Sequence, residues 1–311
     1  MATAMSTGRG AREAPAAGFA ATLDAAVKRN DSLVCVGLDP DAARIPGWDP
    51  ADVTGSLIRF NAAIIEATAD LVCAYKPNVG FYLGFGLDGL AALVETRRLI
   101  PADIPVILDC KVGDIGSTAA AYARGYFAEW DFDAITVNPY LGEDSLAPFL
   151  NSPGRGVLVV CKTSNPGSGE WQDLPVATGD RMPGQPVVPT GGADPADQTE
   201  PLYLSLARRV AGWADRYPAT PGLVVGATYP ADLARVRAVA PDVPILLPGV
   251  GAQAGDLEAA VRAGLDTRGR GLLVSATRSI TYAGDGADFA ERAREVTMAL
   301  RDAVNAVRAG H

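Results

Sequence analysis

Histidine is all but missing from this 311-residue chain: the single imidazole is His311, the last residue. That absence excludes His-based triads, His-ligated metals and imidazole acid–base chemistry, and leaves proton transfer to Lys, Asp, Glu, Tyr or Cys. Cysteine is scarce too. Cys35, Cys73, Cys110 and Cys161 each lie in or beside an apolar run, without the close pairing of a zinc site or a CxxC redox motif. They read as buried reduced thiols. No apolar run approaches the roughly 18 residues of a membrane span, and the alanine-rich start carries Glu13 and lacks the apolar core of a signal peptide. A membrane partner is therefore not expected, and the expected location is the cytoplasm. Positive charge is in deficit, with 27 Lys and Arg against 36 Asp and Glu and a net charge of −9. Such a surface argues against binding free nucleic acid or anionic membrane non-specifically. A small anionic ligand would still need a local basic site.

What is present is a repeat of short apolar runs: LVCVGL at 33–38, LVCAYK at 71–76, PVILDC at 105–110, DAITVN at 133–138, GVLVVC at 156–161, GLVVG at 222–226, PILLPG at 244–249 and GLLVSA at 271–276. They are β-branched and apolar at both alternating positions, as parallel strands covered on two faces require. Helical spacing fills most of the gaps, as in Leu57 to Thr68, Leu87 to Leu99, Ser117 to Trp130 and Leu202 to Trp213. Eight strand–helix alternations predict the α/β class and a single (β/α)8 TIM barrel, with an open doubly wound sheet as the alternative. Residues 1–18 read as a mobile tail and 19–311 as the barrel domain. From about 166 to 200 a Pro- and Gly-rich stretch breaks the rhythm and reads as an insertion, of the length that lids, binding loops and disordered insertions have, with an insertion of no catalytic role an equal reading of its middle portion.

In such a barrel the site lies at the carboxyl ends of the strands. Asp39 follows the first run, Lys76 ends the second, and Asp109, Lys111 and Asp114 follow one another around the end of the third. Asn138 ends the fourth, and Lys162, Thr163, Ser164 and Asn165 follow the fifth. Asp109 and Lys111 alternate across Cys110, so a carboxylate and an ammonium can meet at the barrel mouth. An ammonium held among carboxylates stays protonated and becomes a positioned acid, suited to protonating a carbanion. After the seventh and eighth runs, Gly249, Gly251 and the backbone near Thr277 can present N–H groups to a phosphate, with Gln253 and Arg278 adding side-chain donors. Any one of these residues alone could be a strand-end salt bridge or a turn.

The stretch DCKVGDIGST at 109–118 fits the D-x-K-x-x-D-I-x-x-T pattern, with GLDP at 37–40, YKPNVGFY at 75–82, TVNPYLG at 136–142, KTSNPGS at 162–168, PGVGAQ at 248–253 and ATRSITY at 276–282 in order around it. Together these resemble the orotidine 5′-phosphate decarboxylase family, its longer bacterial (type 2) branch. The resemblance implies conversion of orotidine 5′-monophosphate to UMP and carbon dioxide in de novo pyrimidine biosynthesis, with no metal and no organic cofactor. It implies that Lys111 donates a proton to carbon 6, that Asp109 faces the departing carboxylate and holds Lys111, and that Lys76 supports Asp109 and the ribose. Asp39 would bind a ribose hydroxyl, Ser164 would read the pyrimidine, and Gln253 and Arg278 would hold the phosphate with Gly249 and Thr277. Asp114, Ile115 and Thr118 would reach the neighbouring site of a homodimer. Asn138 would lie near the site or tie down a strand end. Two rival readings share the barrel and the D-x-K-x-x-D core or the phosphate grip: a Mg²⁺-dependent sugar-phosphate decarboxylase and a non-catalytic nucleotide-phosphate-binding barrel.

Overall fold

Each of the eight apolar runs forms a strand. In a computed structural model, which describes residues 18–177, 199–250 and 254–311, they are β1 Val34–Gly37, β2 Ala74–Lys76, β3 Ile107–Val112, β4 Ala134–Val137, β5 Gly156–Lys162, β6 Thr220–Val225, β7 Ile245–Pro248 and β8 Leu272–Ala276. All paired neighbours are parallel, in the order β2-β1-β8-β7-β6-β5-β4-β3. The outer strands β2 and β3 meet through two isolated bridges, Tyr75 to Val106 and Asn78 to Asp109. This seam closes the TIM barrel and removes the open-sheet alternative. It is sparse for a chemical reason: Pro105 and Pro77 bring carbonyls but no N–H, so each only accepts, from Tyr75 N at 3.1 Å and from Asp109 N at 2.9 Å.

The strands are almost wholly buried because helices cover them outside and side chains fill the interior. The helix Gly18–Asn30 lies at the floor of the barrel, where Phe19 N–H donates to Gly154 O at 2.7 Å. Two arginines secure the same end. Arg97 donates to Asp133 at 3.1 Å and to Asp131 O at 2.8 Å, while Asp133 also accepts the Val106 N–H at 2.8 Å. Burial raises the Asp133 carboxyl and Arg97 opposes that rise. Arg237 donates to the carbonyls of Gly264, Ala240, Pro241, Val243 and Gly271.

Two expectations are refined. The helix expected from Ser117 to Trp130 is α-helical only over Gly116–Ala123 and continues as a wider π turn over Arg124–Glu129, in which Trp130 N–H reaches back to Gly125 O. The insertion at 166–200 is ordered at both of its ends. A short helix spans Gly169–Gln172, and Pro175–Ala177 pairs antiparallel with Thr199–Pro201 to form a ribbon at its base. Residues 178–198 and the expected tail up to residue 17 lie outside the described residues, and Gly18 already begins the first helix. Among the described residues no helix is long and apolar enough to cross a membrane.

Candidate active site

Asp109 is the hub of the barrel mouth. Its Oδ1 receives Lys111 Nζ at 2.6 Å and Thr136 Oγ1 at 2.9 Å; its Oδ2 receives Lys76 Nζ at 3.1 Å and Asn78 Nδ2 at 3.3 Å. Burial by itself would raise this carboxyl, but the two ammonium groups outweigh it and hold the pKa at about 2. Burial would likewise depress the Lys76 ammonium, yet Asp109 and Asp39 hold it above the usual lysine value. Both charges of the buried pair therefore persist at neutral pH. Lys111 differs from Lys76 in access, with 47% of its side chain exposed against 5%. One ammonium anchors the carboxylate, and the other faces the opening.

The backbone around these groups departs from a regular strand. Leu108 pairs with Ile135 and Val112 with Val137, so Asp109, Cys110 and Lys111 all stand opposite Thr136 alone. This bulge places Lys111 at φ 45°, a left-handed conformation that costs an L residue energy. Thr136 Oγ1 accepts from Cys110 N–H at 3.0 Å and from Lys111 N–H at 2.9 Å while it donates to Asp109. Neither Thr136 nor Asn78 was singled out from sequence. The signals were there: a hydroxyl inside the apolar run DAITVN, and an amide two residues after Lys76.

Asp39 lies beside this hub. Its Oδ1 accepts from Asn78 N–H at 3.1 Å, and burial raises its carboxyl against the opposing pull of Lys76. Tyr282 Oη donates to Asp39 O at 2.9 Å and accepts from Asp41 N–H at 2.6 Å, which ties the loop after β1 to the loop after β8. Ser164, after β5, has a buried hydroxyl without a partner among the described residues. A methyl group on Gly226 would stand 1.9 Å from that hydroxyl and one on Gly249 3.7 Å from it, so Ser164 sits against the ends of β6 and β7. Gly249 has φ 83°, which glycine alone adopts without strain. Thr277 and Arg278 start the short helix after β8, with Arg278 exposed at the surface.

Some expected residues sit apart from the hub. The Asp114 carboxylate bonds its own loop through Ile115 N–H at 2.8 Å, and Ile115 and Thr118 are exposed. Asn138 Oδ1 accepts from Tyr140 N–H at 3.1 Å, so its side chain caps the turn after β4. Lys162 is buried between the rings of Tyr203 and Tyr229 and pairs with Asp173, tying β5 to the short helix of the insertion. Gln253 and Gly251 lie outside the described residues. Among the described residues no group of three or more His, Cys, Asp or Glu side chains is arranged to hold a metal ion.

Residues 32–184 match the model of the orotidine 5′-phosphate decarboxylase / HUMPS family. The chain is 53% identical over 290 residues to an orotidine 5′-phosphate decarboxylase of Thermomicrobium roseum, covering 93% of this chain and 96% of that one. It is 48% identical to one of Roseiflexus castenholzii, over 93% and 97% of the two chains. The chain belongs to the orotidine 5′-phosphate decarboxylase family. Among solved structures, the OMP decarboxylase of Leishmania donovani superposes with a TM-score of 0.74 at 38% identity, covering 94% of this chain and 98% of that one. Membership decides between the readings of the D-x-K-x-x-D core, and neither rival is favoured.

Proposed function

We propose that this chain is the carboxy-lyase that converts orotidine 5′-monophosphate to UMP and carbon dioxide in de novo pyrimidine biosynthesis. The observation that carries the reading is the Lys76–Asp109–Lys111 relay at the barrel mouth, with one ammonium buried and one facing the opening. The bond between carbon 6 and the carboxylate carbon breaks, and its electron pair stays on carbon 6 while carbon dioxide leaves. Lys111 then gives a proton to carbon 6 and is reprotonated from solvent. An ammonium already fixed beside Asp109 stabilises the carbanion without reorganisation when charge develops. No metal or organic cofactor enters this chemistry.

The remaining assignments follow the same reading. Asp39 and Lys76 bind the ribose, the buried hydroxyl of Ser164 reads the pyrimidine, and Gly249, Gln253, Thr277 and Arg278 hold the phosphate. The exposed Ile115 and Thr118, with Asp114, reach the neighbouring site of a homodimer, and Asn138 borders the substrate. The enzyme works in the cytoplasm.

The test is the ultraviolet absorbance change of orotidine 5′-monophosphate mixed with the purified protein in excess chelator, beside the Lys111→Ala variant. Conversion by the parent protein alone is the expected result. Activity lost in chelator would transfer support to the Mg²⁺-dependent sugar-phosphate reading, and a near-normal Lys111→Ala variant would overturn the proton donor.

A further inference from the structure

We propose that Thr136 is a positioning residue for decarboxylation, its hydroxyl setting both the backbone of Lys111 and the carboxylate that Lys111 contacts. Where three residues of one strand face a single residue of the next, the regular ladder cannot supply partners for every backbone amide. The amides of Cys110 and Lys111 are the ones displaced, and both turn to Thr136 Oγ1, at 3.0 and 2.9 Å. A hydroxyl has two lone pairs and one proton, and here all three are used, since the proton goes to Asp109 Oδ1 at 2.9 Å. That oxygen is also the one Lys111 Nζ contacts at 2.6 Å.

Thr136 thus touches Lys111 at both ends of its reach. It holds the residue at φ 45° through the amide and fixes the acceptor of its ammonium through Asp109. Thr136 is wholly buried, so no water can replace the lost bonds without rearrangement. Valine has nearly the same shape but no oxygen, and would leave two amides and a carboxylate oxygen each one partner short. The inference rests on the reading of Lys111 as the proton donor.

The experiment compares Thr136→Val, Thr136→Ala and Thr136→Ser with Lys111→Ala, recording kcat, KM, UMP affinity by calorimetry and thermal unfolding. Displacement of a reacting group by about an ångström costs on the order of 100-fold in rate. The expected result is therefore a ~100-fold fall in kcat for Thr136→Val and Thr136→Ala, UMP affinity within about threefold of the parent, and recovery of most of the rate in Thr136→Ser. The alanine variant, which adds no methyl group against Asp109, keeps the comparison with serine open if the valine variant does not fold. A kcat within about threefold of the parent in folded Thr136→Val or Thr136→Ala would overturn the inference, as would a serine variant as slow as alanine. Lys111→Ala separates the two failures. If it is inactive while the hydroxyl-free variants are normal, the positioning role alone falls; if it is active, the proton-donor reading falls and takes this one with it.

Discussion

The barrel buries charge at both ends, and the two ends treat it differently. At the floor, Arg237 spends its guanidinium on five backbone carbonyls and Arg97 is closed in by Asp131 and Asp133. At the mouth, Asp109 is just as enclosed, but one of its two cations, Lys111, has nearly half its side chain open. The floor turns charge into fixed architecture, because its two arginines are held by backbone carbonyls and by carboxylates of the chain itself. The mouth keeps one donor group accessible to a substrate. Burial alone therefore does not mark the mouth; there a buried carboxylate holds two ammonium groups on its two oxygens, one enclosed and one open.

The sharpest break between the two ends comes from removing Lys111. Lys111→Ala is expected to lower kcat by at least ~1000-fold, combining the loss of an acid with the loss of a preorganised charge. Its thermal midpoint should stay within a few degrees, since Lys76 still neutralises Asp109. Arg237→Met should do the reverse. It strips the partner from five carbonyls, and a loss of ~3–5 kcal/mol is the expected scale for breaking a buried charged network. In a chain of 311 residues that lowers the melting temperature by ~5–8 °C, measured by calorimetry, with kcat per folded molecule within about twofold of the parent. A floor variant that lost rate at constant stability would erase the distinction.

Acid sharpens the comparison. The Asp109 pKa of about 2 lies below the usual value of 3.8, so this carboxylate's contribution to stability is complete above roughly pH 4 and is lost as pH falls through 2. The shift corresponds to ~2 kcal/mol. The Arg237 guanidinium, lowered by burial to about 10, stays charged throughout that window. Denaturation of the parent and of Asp109→Asn, followed in urea between pH 6 and pH 2, should show a stability gap that narrows by about this amount at the acid end. A constant gap would mean that Asp109 is not held ionised by its two lysines.

Much of this was legible beforehand. The eight strands needed only β-branched apolar runs, and Asp109, Lys111 and Lys76 could be placed because strand ends in a barrel converge by topology. The bulge in β3 was not legible. Alternation across Cys110 already put Asp109 and Lys111 on one face, so nothing in the pattern required three residues to stand opposite Thr136. Asn138, the polar residue just past the end of β4, caps a turn, whereas Thr136 two positions earlier touches Asp109. A threonine in a strand carries two meanings, β-propensity and a hydroxyl, and only the partner across the sheet tells which applies. The closing seam was hidden for a similar reason, since Pro77 and Pro105 would ordinarily argue against pairing.

The smallest expected effect divides the mouth itself. Tyr282 keeps its ring stacked on Phe60 at 5.7 Å and under the Arg44 guanidinium at 4.1 Å, so Tyr282→Phe preserves packing and removes only the hydroxyl. That hydroxyl holds the loop after β1 through Asp39 O and Asp41 N–H, and each bond of this kind is worth ~1 kcal/mol. Loosening the loop frees Asp39 without touching Lys111 or Asp109. Steady-state kinetics should show KM rising by ~3- to 10-fold with kcat within about twofold. A fall in kcat as deep as that expected of Thr136→Val would show instead that ribose grip and proton delivery are one cooperative unit, and that the mouth, like the floor, works as a single network.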